Sequence, residues 1–262
     1  MLGLLLLFNA TAMYICSLLS ASVDDGAMNG LLYSAFITTG AALVTLVITR
    51  NRKREIRKRD GYLTVVLGWL SMVLFGTLPY LLTGALESYS DALFETMSGF
   101  TATGATIIQD IEALPKSIIL WRSLTHWLGG MGIIVLAVAI LPLLGIGGVQ
   151  LFSAEATGLG GDKLHPRISD TAKRLWYIYV GFTALEAILL SLAGMTVFDA
   201  VNHSMSTMAS GGFSTKNESL AYWNHRPVIQ YIVTLFISFK ISVHDLLEII
   251  QNSEDQGSFI IF

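Results

Sequence analysis

The chain has 262 residues, 53% of them hydrophobic and only 13% charged, against about a quarter charged in a soluble domain. A water-soluble fold needs more charged surface than this, so the composition points to a chain solvated largely by lipid. The net charge of −3 excludes nothing, but the single cysteine, Cys16, excludes an intrachain disulfide and a cysteine-held metal cluster.

A helix needs about 20 apolar residues to cross a hydrocarbon core of ~30 Å. The first such stretch, residues 4–23, has no basic segment ahead of it and runs into the acidic pair Asp24-Asp25. It reads as a retained span, not as a cleaved signal peptide. A second span follows at 31–49, so residues 1–50 predict two transmembrane helices. Next comes Arg50-Asn-Arg-Lys-Arg-Glu-Ile-Arg-Lys-Arg59, with seven basic residues in ten. Alone, such a run suits nucleic acid or anionic lipid. Between two spans it is a positive-inside anchor, and no nucleic-acid partner is expected. The basic loop 51–61 is then cytoplasmic, the N-terminus is cytoplasmic too, and 22–29 is external.

A third span, 62–84, runs outward and a fourth, 118–144, inward. The loop 151–173 carries Lys163, Arg167 and Lys173, which returns it to the cytoplasm as the charge rule requires. A fifth span, 175–195, runs outward again. The sixth, 228–243, is short and is interrupted by Lys240. Beyond it the tail 241–262 turns polar, with His244, Asp245, Glu248, Glu254 and Asp255.

The stretches after the third and fifth spans are copies of one another. Asp91-Ala-Leu-Phe-Glu-Thr-Met-Ser-Gly-Phe-Thr-Ala-Thr-Gly-Ala-Thr106 aligns without a gap to Asp199-Ala-Val-Asn-His-Ser-Met-Ser-Thr-Met-Ala-Ser-Gly-Gly-Phe-Ser214, 108 positions on. Each copy predicts a helix of about three turns, over 91–100 and 199–208, with Asp91 or Asp199 as its capping residue. Each then breaks into a Gly/Ser/Thr-rich loop. Both copies start on the outer side. The repeated unit is span, pore helix, re-entrant loop, span: residues 62–150, then an incomplete second copy at 174–240. Both have the same orientation, a parallel repeat about an axis along the membrane normal. The expected fold is an all-α integral membrane protein of about six spans, with two helices preceding the repeats.

Irregular backbone at membrane depth survives only where it is buried in protein or lines water. Thr101-Ala-Thr-Gly104 and Ala209-Ser-Gly-Gly212 carry small side chains, and glycine admits the φ values that turn successive carbonyls toward one axis. Carbonyls so arranged replace a cation's hydration shell. The C-terminal end of each short helix adds partial negative charge there. One copy alone reads as a glycine-rich break in a packed bundle; two in register, each behind a span, favour a pore loop. No G-x-x-x-x-G-K-S/T or G-x-G-x-x-G run suggests nucleotide binding. Gly129-Gly130-Met-Gly132 lies inside a span and suits close helix packing.

Four polar side chains stand out. Glu95, in the first pore helix, would lend negative field near the external mouth, although its counterpart in the second copy is His203. Arg122 and His126 open the fourth span; Arg122 reads as an interfacial snorkelling residue, with pairing to Glu95 as the alternative. Glu186 sits midway along the fifth span, where a carboxylate is costly. It is either a cation- or proton-sensing site or a protonated or paired structural residue. His126, His203 and His225 show neither His-x-x-x-His nor Glu-x-x-His spacing, so no transition-metal site is expected. No Ser/His/Asp grouping is localised, and the chain reads as a non-enzyme without a cofactor.

Phe94-Glu-Thr-Met-Ser-Gly-Phe-Thr-Ala-Thr-Gly-Ala-Thr106, Leu120-Trp-Arg-Ser-Leu-Thr-His-Trp-Leu-Gly-Gly-Met-Gly132, Asp162-Lys-Leu-His-Pro-Arg-Ile168 and Met208-Ala-Ser-Gly-Gly-Phe-Ser-Thr215 together carry a resemblance. The chain resembles the membrane subunits of the Trk/Ktr/HKT-type potassium transporters, TrkH-like members above all, over about residues 1–237. The resemblance implies four span–loop–span repeats around one potassium pathway, symporter-like or channel-like, in a bacterial-type inner membrane. It implies a homodimer and a cytoplasmic nucleotide-binding ring subunit, TrkA-like, as partners. It also implies one selectivity glycine per loop, Gly104 and Gly212. The carbonyls just before them, from Ala102, Thr103, Ser210 and Gly211, would be the potassium ligands, within the filter segments Thr101 to Gly104 and Ala209 to Gly212. The sequence departs from the family pattern by holding two loops where a complete pathway needs four, and its tail 241–262 matches nothing in the family. A chain truncated after the second loop is therefore expected. Its function is either potassium translocation as the N-terminal part of such a subunit, or that of a non-conducting remnant or assembly decoy.

Overall fold

Large apolar side chains line the outside of this molecule and polar ones its inside. Val47, Leu192, Ile188, Phe36 and Leu70 are exposed, whereas Asn9, Ser34, Thr38, Glu95, Arg122, Thr125 and Glu186 are fully or almost fully buried. That inversion is the mark of an integral membrane protein, because lipid solvates the apolar rim while polar groups must find partners within. The computed structural model describes residues 2–50, 58–144 and 164–239. The basic run at 51–57, most of the loop 151–173 and the tail 241–262 lie outside the described residues.

The described residues form helices and no strand. Helices α1 (Leu2–Val23) and α2 (Met28–Thr49) make an antiparallel hairpin. Small residues set their spacing; a side chain at Gly3 would strike Leu46 and the Ala42 carbonyl. The predicted third span is not one helix. It is α3 (Lys58–Gly76) followed by a single-turn α4 (Leu78–Leu82). Pro79 sits at the start of α4 and cannot donate to a preceding carbonyl. Tyr80 bonds instead to Thr77 at 3.1 Å, which frees the carbonyl of Gly76. The indole of Trp121 donates to that carbonyl at 3.2 Å. The kink and the tryptophan satisfy one another's polar groups.

The first pore helix α5 (Tyr89–Phe100) leads by a loop to α6 (Lys116–Leu144). The second unit repeats the order with α7 (Leu164–Leu192), pore helix α8 (Val197–Ala209), a 3-10 turn at Ser219–Trp223 and α9 (Pro227–Phe239). Helix α7 starts well before the expected span, so the final ten residues of the stretch read as loop 151–173 are helical. Its proline, Pro166, falls in the first turn, where the missing N–H costs nothing. Among the described residues, four stretches are long and apolar enough to cross a membrane: Leu2–Val23, Met28–Thr49, Val65–Leu82 and Lys173–Leu192.

Helix α6 is the central element. It packs against α1, both pore helices and α7. Gly129 lies against the Phe100 carbonyl at the end of α5, and Gly130 lies 2.9 Å, measured from a hypothetical Cβ, from the Ala209 Cα at the end of α8. Side chains at either position would hold α6 away from both pore helices. The N-terminal hairpin is tied to the start of α6 by Asp25, whose carboxylate accepts from the Ser117 N–H at 2.9 Å, from Ala27 at 3.2 Å and from the Ser20 hydroxyl. Such a carboxylate at a helix N-terminus satisfies an otherwise orphaned donor.

Candidate functional site

Both pore helices start earlier than the sequence suggests, and Asp91 and Asp199 are not their capping residues. Ser88, in an extended conformation, precedes α5, which places Asp91 inside the first turn. At α8 the cap is Thr196: its hydroxyl oxygen accepts from the Asp199 N–H at 3.1 Å and donates to the Asp199 carboxylate at 2.7 Å. This reciprocal hydroxyl–carboxylate pair fixes the N-cap, with Asp199 at the third helical position. The other Asp199 oxygen accepts from Thr215 at 2.6 Å, so the start of α8 is fastened to the loop beyond its end.

The helices end alike. The Thr103 N–H reaches back to the Ser98 carbonyl at 3.0 Å and the Gly211 N–H to the Ser206 carbonyl at 2.9 Å. The Ala102 N–H bonds to Gly99 at 3.0 Å and the Ser210 N–H to Thr207 at 2.8 Å. Each pair forms a Schellman cap, which needs a left-handed residue just past the helix. Ala102, with φ +52°, and Ser210, with φ +59°, occupy that position. Gly104 and Gly212 follow with φ of +76° and +91°, while Thr103 and Gly211 keep negative φ. Alternating hands of backbone put successive N–H groups on one side and carbonyls on the other. The alternation falls on the same aligned positions in both copies. Among the described residues, no backbone hydrogen bond ends on the carbonyls of Ala102, Thr103 or Gly211.

The two loops meet. A Cβ on Gly104 would collide with the carbonyl oxygen of Gly211, whereas one on Gly212 would meet open space. Thr101, Thr103, Ser210 and Gly212 are exposed; Ala209 and Gly211 are buried. Gly211 rests on the ring of His126, which is stacked on Phe213 with centroids 3.9 Å apart. His126 Nδ1 is 3.1 Å from the Ser206 hydroxyl.

Behind each loop, one side chain of the pore helix holds the residue two places beyond the glycine. In the first copy the Glu95 carboxylate accepts from the Thr106 hydroxyl at 3.0 Å and from the Ile107 N–H at 3.1 Å. In the second, His203 Nε2 lies 3.1 Å from the Ser214 hydroxyl. His203 Nδ1 faces the Asp199 carbonyl at 2.9 Å and must donate to it, so Nε2 accepts. Glu95 and His203, and likewise Thr106 and Ser214, are repeat equivalents.

Arg122 is not an interfacial snorkelling residue. It is almost fully buried and pairs with Glu95, Nε to Oε1, at 2.8 Å. Glu95 itself is sealed behind the loop, and its charge is compensated there instead of facing the mouth. Glu186 is wholly buried in α7 beside Thr207 of α8, and its carboxylate oxygens make no hydrogen bond of good geometry. Farther along the two loops, Lys216 pairs with Glu112, and the Asn217 side chain donates to Asp110 at 2.9 Å while accepting from the Ile111 N–H at 2.7 Å. Among the described residues, no cluster of three His, Cys, Asp or Glu side chains is placed to hold a metal ion.

Residues 30–240 match the family model described as TrkH, cation transport protein. The chain is similar to the Trk system potassium uptake protein TrkH of Halomonas elongata, 45% identical over 248 residues, covering 93% of this chain and 51% of that protein. It is 42% identical to the protein of that name from Escherichia coli K12, covering 90% and 49%. Among solved structures it is similar to the potassium transporter TrkH from Vibrio parahaemolyticus, with TM-score 0.77 and 41% identity, covering 89% of this chain and 47% of that one. The chain spans about half the length of these relatives.

Proposed function

Because the chain belongs to the TrkH family of cation transport proteins, we propose that it supplies two loops of a potassium-selective pathway across the membrane. Thr101, Ala102, Thr103, Gly104, Ala209, Ser210, Gly211 and Gly212 form the filter segments in this reading. The observation that carries it is the backbone: two loops with the same alternation of φ at aligned positions, each at the C-terminal end of a short helix. A potassium ion sheds water onto carbonyls of Ala102, Thr103, Ser210 and Gly211, and the helix ends add negative potential. No bond is made or broken. The exposed side of the loop pair is where the remaining loops of a closed pathway would stand. The N-terminus is cytoplasmic in this proposal. The relatives are named as parts of a Trk system, which accords with partner subunits; in this reading they are a cytoplasmic TrkA-like ring and a second copy of the chain.

Rubidium entry into liposomes tests the reading. Flux through the chain alone, abolished by Gly104→Phe, supports conduction by this chain. Flux only when residues 1–237 replace the matching part of the Vibrio parahaemolyticus transporter supports a partial pathway. Unchanged flux through that chimera with Gly104→Phe would sink the filter assignment. No flux in either arrangement favours a non-conducting membrane protein.

A further inference from the structure

Arg122 belongs to neither loop, yet it touches both. From α6 its Nε donates to Glu95 at 2.8 Å, and one terminal nitrogen donates to Thr106 of the first loop at 3.2 Å. The other terminal nitrogen donates to the Ser214 carbonyl of the second loop at 3.3 Å. The guanidinium also lies over the Phe213 ring, 4.2 Å from its centroid. Glu95 in turn holds Thr106 and the Ile107 N–H. The planar fork therefore reaches the separate loops from separate nitrogens held in a rigid plane, whereas a lysine ammonium presents all its donors from one atom. The second loop's own tether, His203, hydrogen-bonds within its own repeat, to Ser214 and Asp199. Farther along, the two loops are also joined by Asn217 to Ile111 and Asp110 and by Lys216 to Glu112, whereas Arg122 joins them directly behind the two glycines.

We propose that Arg122, braced by Glu95, is a positioning residue that clamps the two pore loops at one fixed separation and thereby sets the choice between potassium and smaller cations. The part concerning ion choice rests on the potassium reading; the clamp itself does not. One way a carbonyl site distinguishes cations is by walls that resist closing around a smaller one. Gly104 in contact with the Gly211 carbonyl is the point at which the loops would move.

Hydrogen exchange of the chain in lipid nanodiscs tests the clamp. In Arg122→Gln, the rise in exchange over amides 105–108 and 212–216 should exceed that in α1 and α2 by at least about tenfold. Arg122→Lys should not restore protection. Should Arg122→Gln fail to fold, the neutral double variant Glu95→Gln with Arg122→Gln decides by the same criterion. Loosening of the first loop only, of neither loop, or of the whole molecule uniformly would overturn the clamp. In the chimera carrying residues 1–237, the rubidium-over-sodium flux ratio should fall on the order of tenfold in the same variants, the effect of one charged hydrogen bond. A wild-type ratio with loosened loops overturns the assignment to ion choice. A chimera that passes no rubidium before any mutation fails the potassium reading instead and leaves the clamp to the exchange data.

Discussion

At the scale of single residues, the two filter glycines differ although the alignment makes them equivalent. Both have positive φ, where a Cβ costs roughly 1–2 kcal/mol. At Gly212 that strain is the whole cost, because the added atom meets open space; at Gly104 it also strikes the Gly211 carbonyl. Gly104→Ala is therefore expected to lower thermal stability in detergent clearly more than Gly212→Ala, and equal losses would contradict the geometry. The buried pair behind them gives a second expectation. Arg122→Gln strands the Glu95 charge and should cost about 3–5 kcal/mol, while the Glu95→Gln, Arg122→Gln double variant should cost less. Chemical denaturation of the three variants checks the order. Sequence could not assign this pair. It gives Arg122 a depth along α6 but not a rotation, and a cation near a membrane interface is cheaper facing water than protein unless a carboxylate waits behind it.

At the scale of helices, the pore-helix ends carry stored strain. Ala102 and Ser210 hold the left-handed cap position that glycine usually fills. Replacing either by Gly relieves the Cβ clash but loosens the unfolded chain, for a net gain of up to roughly 1 kcal/mol. Thermal unfolding reads the sign, and a loss would mean that the cap is not left-handed in the bilayer. The seam at Asp25 should respond to acid. Partial burial alone would raise its carboxyl, but hydrogen bonds from Ser20, Ser117 and Ala27 hold it below the usual carboxylate range. Its contribution is thus complete above the ordinary carboxylate pKa and disappears as pH falls through the lowered value. Unfolding curves between neutral pH and about pH 3 should show an acid-dependent loss that Asp25→Asn lacks. Helix types and most boundaries were legible from apolar length. The break before Pro79 was not, because long apolar runs dominate a span reading. The capping residues were misplaced because Asp is as good at the third helical position as at the cap.

For the molecule as a whole, the repeat was legible because it is written in residue identity, 108 positions apart. What joins the two copies was not, since their common surface is made by α6. Its Gly129 and Gly130 face the ends of α5 and α8, and its Trp127 bonds to Thr183 and accepts from Tyr179, both on α7, at 3.1 Å. The repeats are thus held by packing and side-chain bonds and do not depend on the covalent link between them. If so, a chain cut between residues 144 and 164, expressed as two fragments in one membrane, should reassemble, and a tag on either fragment should retrieve the other in mild detergent. Gly130→Ile supplies the control. A branched side chain there would press on the Ala209 backbone and the Tyr179 hydroxyl, both within about 3 Å of an added Cβ, and backbone cannot yield as a flexible side chain does. Recovery should then drop to the level of unrelated membrane fragments. Undiminished recovery of the Gly130→Ile fragments would mean that α6 does not join the copies, and the closeness of Gly104 to Gly211 would need another support.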